Sequence, residues 1–404
     1  MGRYWPLLVV MLGVWSTPAA GAASVPASIQ LTRFQTASAF GSGTVSGAAL
    51  EADQLVLAPA ALTGTWTSAP VRPGFGFTRL VSSWNAATPA AGRLSVDVQV
   101  TTAGGLVGGW YHLGMWAADD ATVQRASLDG QADAVGRVAT DTLLALADPF
   151  VSYRLRATLQ RAAVDDPSPS VALLGAEVSN VTSLTTSESS ASTPSGLDAV
   201  ELPVPPLAQE IHAHQYARWG GGGEAWCSPT STEMVVEFWA RGPSAADLTW
   251  VDPGYVDPSV DYAARSTYDA SYGGTGNWSF NVAYAARYGL EAFVTQLRSL
   301  TEAEQFVRAG IPLVASIASR PGELDGFLFP GGTKGHLVVI VGFDAAGNPI
   351  VNDPAATSDA SVRRVYDRAQ FERVWLRGSD GTVYVIHPPE VPLPARPAEA
   401  PANW

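Results

Sequence analysis

The sequence predicts a chain of two domains, an N-terminal all-β domain of sandwich or jelly-roll type and a C-terminal α+β domain. Three observations predict this: short strands bounded by turn residues fill residues 28–181, a Ser/Thr/Pro-rich stretch occupies residues 182–205, and helical periodicity followed by hairpin signals fills residues 206–388. A length of 404 residues is enough for two or three hydrophobic cores.

The first 23 residues predict an export signal. Arg3 supplies a positive charge, Trp5–Trp15 is an apolar run, and Thr17–Ala23 offers small residues for cleavage. The apolar run is shorter than the roughly 20 residues that a membrane-spanning helix needs. We therefore expect residues 1–23 to be removed and the mature protein to be secreted or otherwise extracytoplasmic, with no stable membrane span.

The N-terminal half predicts strands and turns. Leu94–Thr101, Tyr153–Leu159 and Val171–Val178 alternate in polarity or are rich in branched residues, which favours β-structure. This half contains no cysteine and a single histidine, His112. It therefore carries no evident catalytic group, and we expect an accessory domain with a binding or spacer role.

The aromatic residues of this half allow two interpretations. They either pack in the core, which is the usual place for large rings, or form a platform for a carbohydrate or cell-surface ligand. The residues concerned are Trp84, Trp110, Tyr111 and Trp116.

Two segments are expected to lie outside the domain cores. Thr182–Gly196 is almost entirely small and polar, so it lacks the apolar surface to order itself, and Pro203, Pro205 and Pro206 then stiffen the chain. We place the linker at residues 182–205, and residues 389–404 form a Pro/Ala-rich tail.

The C-terminal half begins with helical patterns. Ser228–Ala240 repeats apolar residues at helical spacing, and Asn277–Tyr288 is a second candidate helix. A third helix is predicted over Ser299–Ala309, opened by a capping box of Ser299 and Glu302.

Strands follow these helices. Pro312–Ile317 is one predicted strand, and Leu337–Phe343 and Asn348–Asn352 flank the turn Asp344–Gly347 as a hairpin. Thr382–Ile386 is the last predicted strand of the domain. Helices followed by a hairpin sheet indicate an α+β domain.

The charge balance restricts the partners. A formal net charge of −13 disfavours nucleic acid, whose phosphates require clustered Lys and Arg. His212 and His214 are spaced i, i+2, but a metal site needs further ligands that the neighbouring sequence does not offer. We therefore predict no metal and no cofactor.

The single cysteine, Cys227, is the strongest chemical feature. In an exported protein one cysteine cannot form an internal disulfide, so it is either a free thiol or an intermolecular partner. Pro229 suits the first turn of a helix, and a helix N-terminus stabilises a thiolate. The glycines 220–223 let the backbone approach closely and leave space above the thiol. A cysteine packed as an ordinary small residue is the alternative.

A base for this thiol is predicted in the hairpin. His336 lies at the start of one strand, and the antiparallel return brings Asp353 to the same end of the hairpin. A carboxylate there would orient the imidazole, which gives a set of nucleophile, base and orienting group. Taken singly, the histidine could instead cap a strand and the aspartate could form a turn.

The oxyanion that forms when the thiol attacks a carbonyl would also need hydrogen-bond donors. The backbone N–H of Cys227 supplies one donor at the helix start. We predict the side-chain amide of Gln215 as the second donor, with Gln209 as the alternative.

The segments AWCSPTSTEM, KGHLVVIVGF and VNDPAA, in this order, resemble the double-glycine-peptidase-like branch of the papain-like cysteine peptidases. The resemblance covers about residues 207–388 and implies catalytic residues in the order Gln215, Cys227, His336 and Asp353. Ser228 stands where many relatives have glycine. Relatives that remove leader peptides are fused to membrane transporters, so that substrate class does not carry over.

The leading functional hypothesis is a secreted cysteine peptidase that acts on peptides or proteins. The same three groups would also serve an acyl or peptidyl transferase. A third hypothesis is a non-catalytic binding protein with a degenerate peptidase domain.

Overall fold

The N-terminal domain consists of twelve strands and one short helix. The structure, a computed structural model, describes residues 28–180, 191–396 and 400–404, so the predicted signal peptide lies outside it. The elements are β1 (Ser28–Phe34), α1 (Ala37–Gly41), β2 (Thr44–Ser46), β3 (Ala48–Glu51), β4 (Gln54–Leu57), β5 (Thr63–Thr67), β6 (Arg79–Ala87), β7 (Arg93–Thr102), β8 (Tyr111–Trp116), β9 (Gly136–Ala139), β10 (Thr142–Ala145), β11 (Phe150–Gln160) and β12 (Ser170–Asn180).

These strands form two antiparallel sheets. One sheet has the order β3-β4-β12-β6-β10-β9, with β1 also paired to β12, and the other has the order β2-β5-β11-β7-β8. Alternation explains the burial: in β7 the side chains of Val96, Val98 and Val100 are fully buried, and the residues between them pack less tightly. Buried side chains of both sheets form one cluster. The three strands predicted here lie within β7, β11 and β12.

The tryptophans of this domain mostly pack in its core. Trp84 and Trp116 are fully buried and Tyr111 is almost so. Trp110 is partly buried beneath the guanidinium groups of two arginines, Arg156 being the closer at 4.3 Å from the ring centroid. Three of the four are therefore core residues and the fourth is covered by arginines, which gives no support to an aromatic platform for a carbohydrate.

The C-terminal domain combines five helices with a seven-stranded antiparallel sheet among the described residues. The sheet order is β14-β19-β15-β16-β17-β18, and β13 pairs with β16. The elements are β13 (Val200–Glu201), α2 (Cys227–Phe238), α3 (Pro258–Thr267), α4 (Trp278–Ala286), β14 (Glu291–Gln296), α5 (Leu300–Arg308), β15 (Leu313–Ser319), β16 (Thr333–Phe343), β17 (Pro349–Asn352), β18 (Arg363–Val365), α6 (Arg368–Ser379) and β19 (Thr382–His387).

Strand β16 lies at the centre of this domain, and both of its faces are covered. Leu337, Val339 and Val341 pack in the cluster that contains α2 and α4, whereas Val338 and Ile340 pack in the cluster that contains α5 and α6. Burial on both faces explains why the sequence of this strand is a continuous run of apolar residues.

Three helices are confirmed with ends shifted by one or two residues, and the hairpin is confirmed with a first strand that begins four residues earlier than predicted, at Thr333. At α5 the Ser299 hydroxyl accepts a hydrogen bond from the Glu302 N–H at 3.2 Å, as expected of the cap. The Glu302 carboxylate, however, accepts from the N–H of Arg298 and not from that of Ser299. Helices α3 and α6 and the strand β14 were not predicted. No helix in the described part of the chain is long and apolar enough to cross a membrane.

The second half of the predicted linker is docked onto the C-terminal domain. Residues 182–190 lie outside the described residues. Among residues 191–205, β13 joins the sheet beside β16, and the carbonyl of Ser192 accepts a hydrogen bond from the Arg368 guanidinium at 2.8 Å. Polar partners far away in sequence therefore order a segment whose own composition supplies little apolar surface.

The described end of the predicted tail, residues 400–404, also packs against the protein. The Leu31 N–H of β1 donates to the carbonyl of Ala402 at 2.7 Å, and the Trp404 ring lies 5.0 Å from that of Phe306. Trp404 is buried. The tail thereby connects the first strand of one domain with a helix of the other.

The two domains share a hydrophobic contact at α4. The Phe280 ring is fully buried, and its centroid lies 6.0 Å from that of Trp84 and 5.7 Å from that of Trp116. The Ser279 hydroxyl donates to the carbonyl of Ser82 at 2.7 Å. The core of the N-terminal domain is therefore completed by a helix of the C-terminal domain.

This contact leads to a stability prediction. Phe280→Ala should lower the free energy of unfolding by about 3–5 kcal/mol, because it leaves a cavity against two tryptophans. Leu106→Ala, at a side chain that is 59% exposed, is the control and should change stability by less than about 0.5 kcal/mol. Chemical denaturation followed by tryptophan fluorescence measures both, and equal effects would contradict a shared core.

Candidate active site

Cys227 is the first residue of α2, at the point where the helix leaves an irregular turn. The N–H groups of a first helical turn have no acceptor within the helix, and Pro229 in that turn has no N–H to satisfy. The preceding residue, Trp226, is fully buried and donates its indole N–H to the carbonyl of Trp219 at 2.7 Å. The thiol is therefore held at a helix N-terminus with a fixed residue before it.

The glycine run before Cys227 has a steric explanation. Gly220, Gly221 and Gly222 have φ values of 82°, 117° and 113°, a region that residues with a Cβ rarely adopt. At Gly223 a Cβ would lie 2.3 Å from the carbonyl oxygen of Gln209. The run thus makes a turn and then lets two backbone segments touch just before the helix.

Side-chain hydroxyls join α2 to the sheet. The Ser231 hydroxyl donates to the carbonyl of Leu337, the residue after His336, at 3.1 Å. The hydroxyls of Ser228 and Tyr384 are 2.9 Å apart and both side chains are buried, so the serine that replaces glycine after the cysteine has a partner. These bonds fix the helix start relative to β16 and β19.

His336 and Asp353 form a buried pair. His336 Nε2 lies 2.7 Å from Asp353 Oδ1, and both residues are almost inaccessible to solvent. Asp353 also accepts hydrogen bonds from the Tyr366 hydroxyl at 2.9 Å and from the Ala355 N–H at 3.1 Å. The hairpin geometry predicted from the sequence therefore brings this pair together.

The Cys227 thiol contributes to the electrostatics of His336 and helps to raise the pKa of the imidazole. Nε2 is engaged by Asp353, which leaves Nδ1 available to the thiol. Burial lowers the pKa of His336, but the charge and hydrogen bond of Asp353 and the interaction with Cys227 outweigh burial and raise the pKa to about 10. Burial alone would raise the pKa of Asp353. The charge and hydrogen bond of His336 outweigh burial and hold the pKa of Asp353 below its usual range.

Two phenylalanines cover the imidazole. The ring centroids of Phe327 and Phe329 lie 5.9 Å and 5.0 Å from that of His336. Both come from the segment between β15 and β16. They shield the ion pair from water, which strengthens its electrostatic interaction.

The two candidate glutamines occupy different environments. Gln215 accepts a hydrogen bond at Oε1 from the His212 ring at 3.0 Å and donates to the carbonyl of Ile211 at 3.3 Å. Gln209 is buried, its N–H donates to the carbonyl of Pro354 at 2.8 Å, and its carbonyl adjoins the glycine run. The structure thus places Gln209 between the cysteine loop and the residue after Asp353.

Several neighbours of the site were not singled out in the sequence. Burial and then the charge of Cys227 raise the pKa of Tyr272, whose ring is half-exposed. Burial and Glu224 raise the pKa of Glu210, and the charge of His336 opposes them. Tyr272 lies in a loop without helical or strand periodicity, so no local signal marks it.

The histidines His212 and His214 are not joint ligands. His212 is buried with Nδ1 3.3 Å from an Asp261 oxygen, whereas His214 is exposed beside Glu224. Within residues 28–180, 191–396 and 400–404 no three potential metal ligands are grouped.

A thiol at a helix start, an imidazole and a buried carboxylate define the class of cysteine peptidase-like proteins. Comparison with family models agrees: the model described as the Peptidase C39 N-terminal domain matches residues 30–179, and that of the Peptidase C39 like family matches residues 201–383. The chain belongs to this C39, double-glycine-peptidase-like group of papain-like cysteine peptidases, and a cysteine peptidase-like function follows.

Solved structures add little to this assignment. A protein described as a C39-like peptidase from Bacillus anthracis is 17% identical, with a TM-score of 0.31, and the match covers 47% of this chain and 98% of that one. PfGH50B is 12% identical, with a TM-score of 0.17, over 39% of this chain and 24% of that one. Such TM-scores do not bear on the fold. No curated protein matches the chain.

The buried pair leads to a pH prediction. Because the pKa of His336 is raised from 6.5, the stabilisation from its protonated form is complete below about pH 6.5 and is lost as the pH rises through about 10. Asp353→Asn removes the charge, so burial should dominate and the pKa of His336 should fall, as measured by NMR titration of the imidazole.

Tyr366→Phe is the milder companion variant. It removes one hydrogen bond to Asp353 and keeps the carboxylate, so the imidazole pKa should stay close to that of the wild type. An unchanged His336 titration in a folded Asp353→Asn protein would show that the carboxylate does not control the imidazole.

Proposed function

We propose that this protein is a cysteine peptidase that hydrolyses peptide bonds with Cys227 as nucleophile, His336 as acid and base, and Asp353 as the orienting group. One observation carries the proposal: the buried imidazole of His336 is hydrogen-bonded to the Asp353 carboxylate, and its pKa is raised by both Asp353 and the Cys227 thiol. Peptide or protein substrates follow from the family assignment.

In this mechanism the proton of the thiol resides on His336, because the raised pKa of the imidazole favours its charged form at neutral pH. The thiolate of Cys227 attacks the carbonyl carbon and forms a tetrahedral oxyanion. His336 gives its proton to the departing amine as the C–N bond breaks, which leaves an acyl-enzyme. Water then loses a proton to His336, attacks the thioester and releases the carboxylic acid together with the thiol.

We propose Gln209, the alternative candidate, as the side-chain donor to the oxyanion, together with the N–H of Cys227. Gln209 is held next to the residue that follows Asp353 and next to the turn that leads into α2. The amide of Gln215 is instead engaged within its own turn. The intact set of groups argues against a degenerate domain, and water as acceptor is the simplest outcome of the same chemistry.

The finer architecture belongs to the same proposal. Two antiparallel sheets around one cluster support a β-sandwich in the N-terminal domain. A cysteine-bearing helix packed on a sheet that carries the histidine supports a papain-like α+β domain. Export remains a proposal that rests on residues 1–23, which lie outside the described residues.

The nucleophile is tested by substitution of Cys227. Cys227→Ala should lower cleavage of a peptide library by at least about 10⁴-fold, because no other group of the site can form the acyl-enzyme. Cys227→Ser, which keeps the size of the side chain, should be impaired to a similar degree. Mass spectrometry of the library before and after incubation measures cleavage.

Alkylation provides an independent readout. Iodoacetamide should modify Cys227 more slowly in a His336→Ala protein than in the wild type, because the imidazolium stabilises the thiolate. Equal rates in the two proteins at every pH, or undiminished cleavage by Cys227→Ala, would reject the proposed mechanism.

The two glutamines give a matched test of the oxyanion donor. Gln209→Ala should lower kcat by about 10²–10³-fold with little change in KM, because the donor acts on the transition state. Gln215→Ala should change kcat much less. The reverse order of effects would return the role to Gln215, and thermal melts of both variants separate a fold defect from a loss of catalysis.

A further inference from the structure

A cluster of aromatic rings lies directly upstream of the nucleophile. The ring centroids of Tyr216, Trp219 and Trp250 lie 5.0–5.2 Å apart in all three pairings. The carbonyl of Trp219 accepts the indole N–H of Trp226, the residue before Cys227. The cluster is therefore rigidly connected to the start of the catalytic helix.

Two adjoining cavities of about 300 and 400 Å³ open over this cluster. Both are lined by Trp219 and Arg218 of the C-terminal domain and by Asp120 and Gln124 of the N-terminal domain. Together they form a groove at the domain boundary, which is a common place for ligand sites.

The groove borders the loop that carries Tyr272. One of its cavities is also lined by Tyr268 and Ala270 of this loop, and the pKa of Tyr272 is raised by burial and by the charge of Cys227. Two bonds to the N-terminal domain hold this loop: the Ala270 N–H donates to the carbonyl of Arg125 at 3.0 Å, and the Ser127 N–H donates to the Asp269 carboxylate at 3.0 Å.

The positive charges of the groove differ in their partners. Arg265 is bound by both oxygens of Asp120, at 2.6 and 3.0 Å. Arg125 is buried, and its guanidinium donates to carbonyls, including that of Ala117. Arg218 is exposed, lies 4.4 Å above the Trp219 ring and makes no ion pair with the described residues. It is therefore the cation of the groove left to bind an external anion.

We infer that this groove binds a segment of the substrate peptide that carries an acidic side chain, with Arg218 as the residue that recognises the carboxylate. A guanidinium that lies over a ring still offers paired N–H donors that match a carboxylate. The aromatic rings provide apolar surface for the neighbouring residues of the peptide. The inference rests on the proposed peptidase function and adds acidic peptides as the substrate class.

The negative net charge of the protein restricts where an acidic side chain of a peptide can bind. A protein with a net charge of −13 repels acidic peptides over most of its surface. An unpaired arginine in a groove then determines where an acidic side chain binds. The N-terminal domain contributes through Asp120, which neutralises Arg265 and leaves Arg218 as the free cation.

Binding is tested in the inactive Cys227→Ala protein, so that the result does not depend on cleavage. The probes are blocked octapeptides in which a single Glu or Gln is moved through every position, titrated by tryptophan fluorescence. At one position the Glu peptide should bind about tenfold more tightly than its Gln counterpart. Arg218→Gln should abolish this difference, and Arg218→Glu should reverse it in favour of the Gln peptide.

Arg373→Gln, at an exposed arginine on α6, is the matched control and should keep the preference for Glu. The difference should also shrink at high salt, because the contact is electrostatic. Equal binding of Glu and Gln peptides at every position, or a preference that survives Arg218→Gln, would overturn the inference. Failure of the wild type to cleave any peptide would count against the proposed function but would leave this binding result intact.

Discussion

The bond between His336 and Asp353 is the interaction on which the site depends. A carboxylate removed from water is costly unless it is paired and hydrogen-bonded, and Asp353 has three donors to satisfy it: the imidazole, the Tyr366 hydroxyl and the Ala355 N–H. The pairing of β16 with β17 brings the two residues to one end of the hairpin. The bond from Ser231 to the carbonyl after His336 then fixes the thiol relative to the imidazole.

Contacts between the two domains give the N-terminal domain a larger role than that of a spacer, because they position the helix that carries Cys227. Asp141, at the turn between β9 and β10, is buried and accepts a hydrogen bond from the Trp278 N–H at the start of α4. Helix α4 packs against the catalytic helix, and Asn281 within it accepts a hydrogen bond from Thr232 at 3.2 Å. A chain of contacts therefore runs from the β-domain to the helix that carries Cys227. Removing that domain would expose Phe280 and release the loop next to the thiol.

The residues proposed as catalytic could be singled out in the sequence because their signals are local. Cys227 is the only cysteine, Pro229 marks a helix start, and the hairpin turn fixes the position of Asp353 relative to His336. The helices α3 and α6 were missed because α3 follows a left-handed Asp257 and α6 is mainly polar in sequence. Their apolar residues become a pattern only once the sheet they cover is known. The choice between Gln209 and Gln215 depends on a backbone contact with Gly223, which no local pattern reveals.

The long interval from Gln209 to Cys227 is explained by the same contact. The chain leaves the glutamine, forms a loop that carries Tyr216, Arg218 and Trp219, and returns through the glycine run to touch the carbonyl of Gln209. Because the base of the loop is closed, its length does not displace the glutamine from the catalytic helix. The glycines therefore have two effects: they keep the proposed oxyanion donor in place, and they allow a loop that presents an aromatic surface and an unpaired cation just before the helix that carries Cys227.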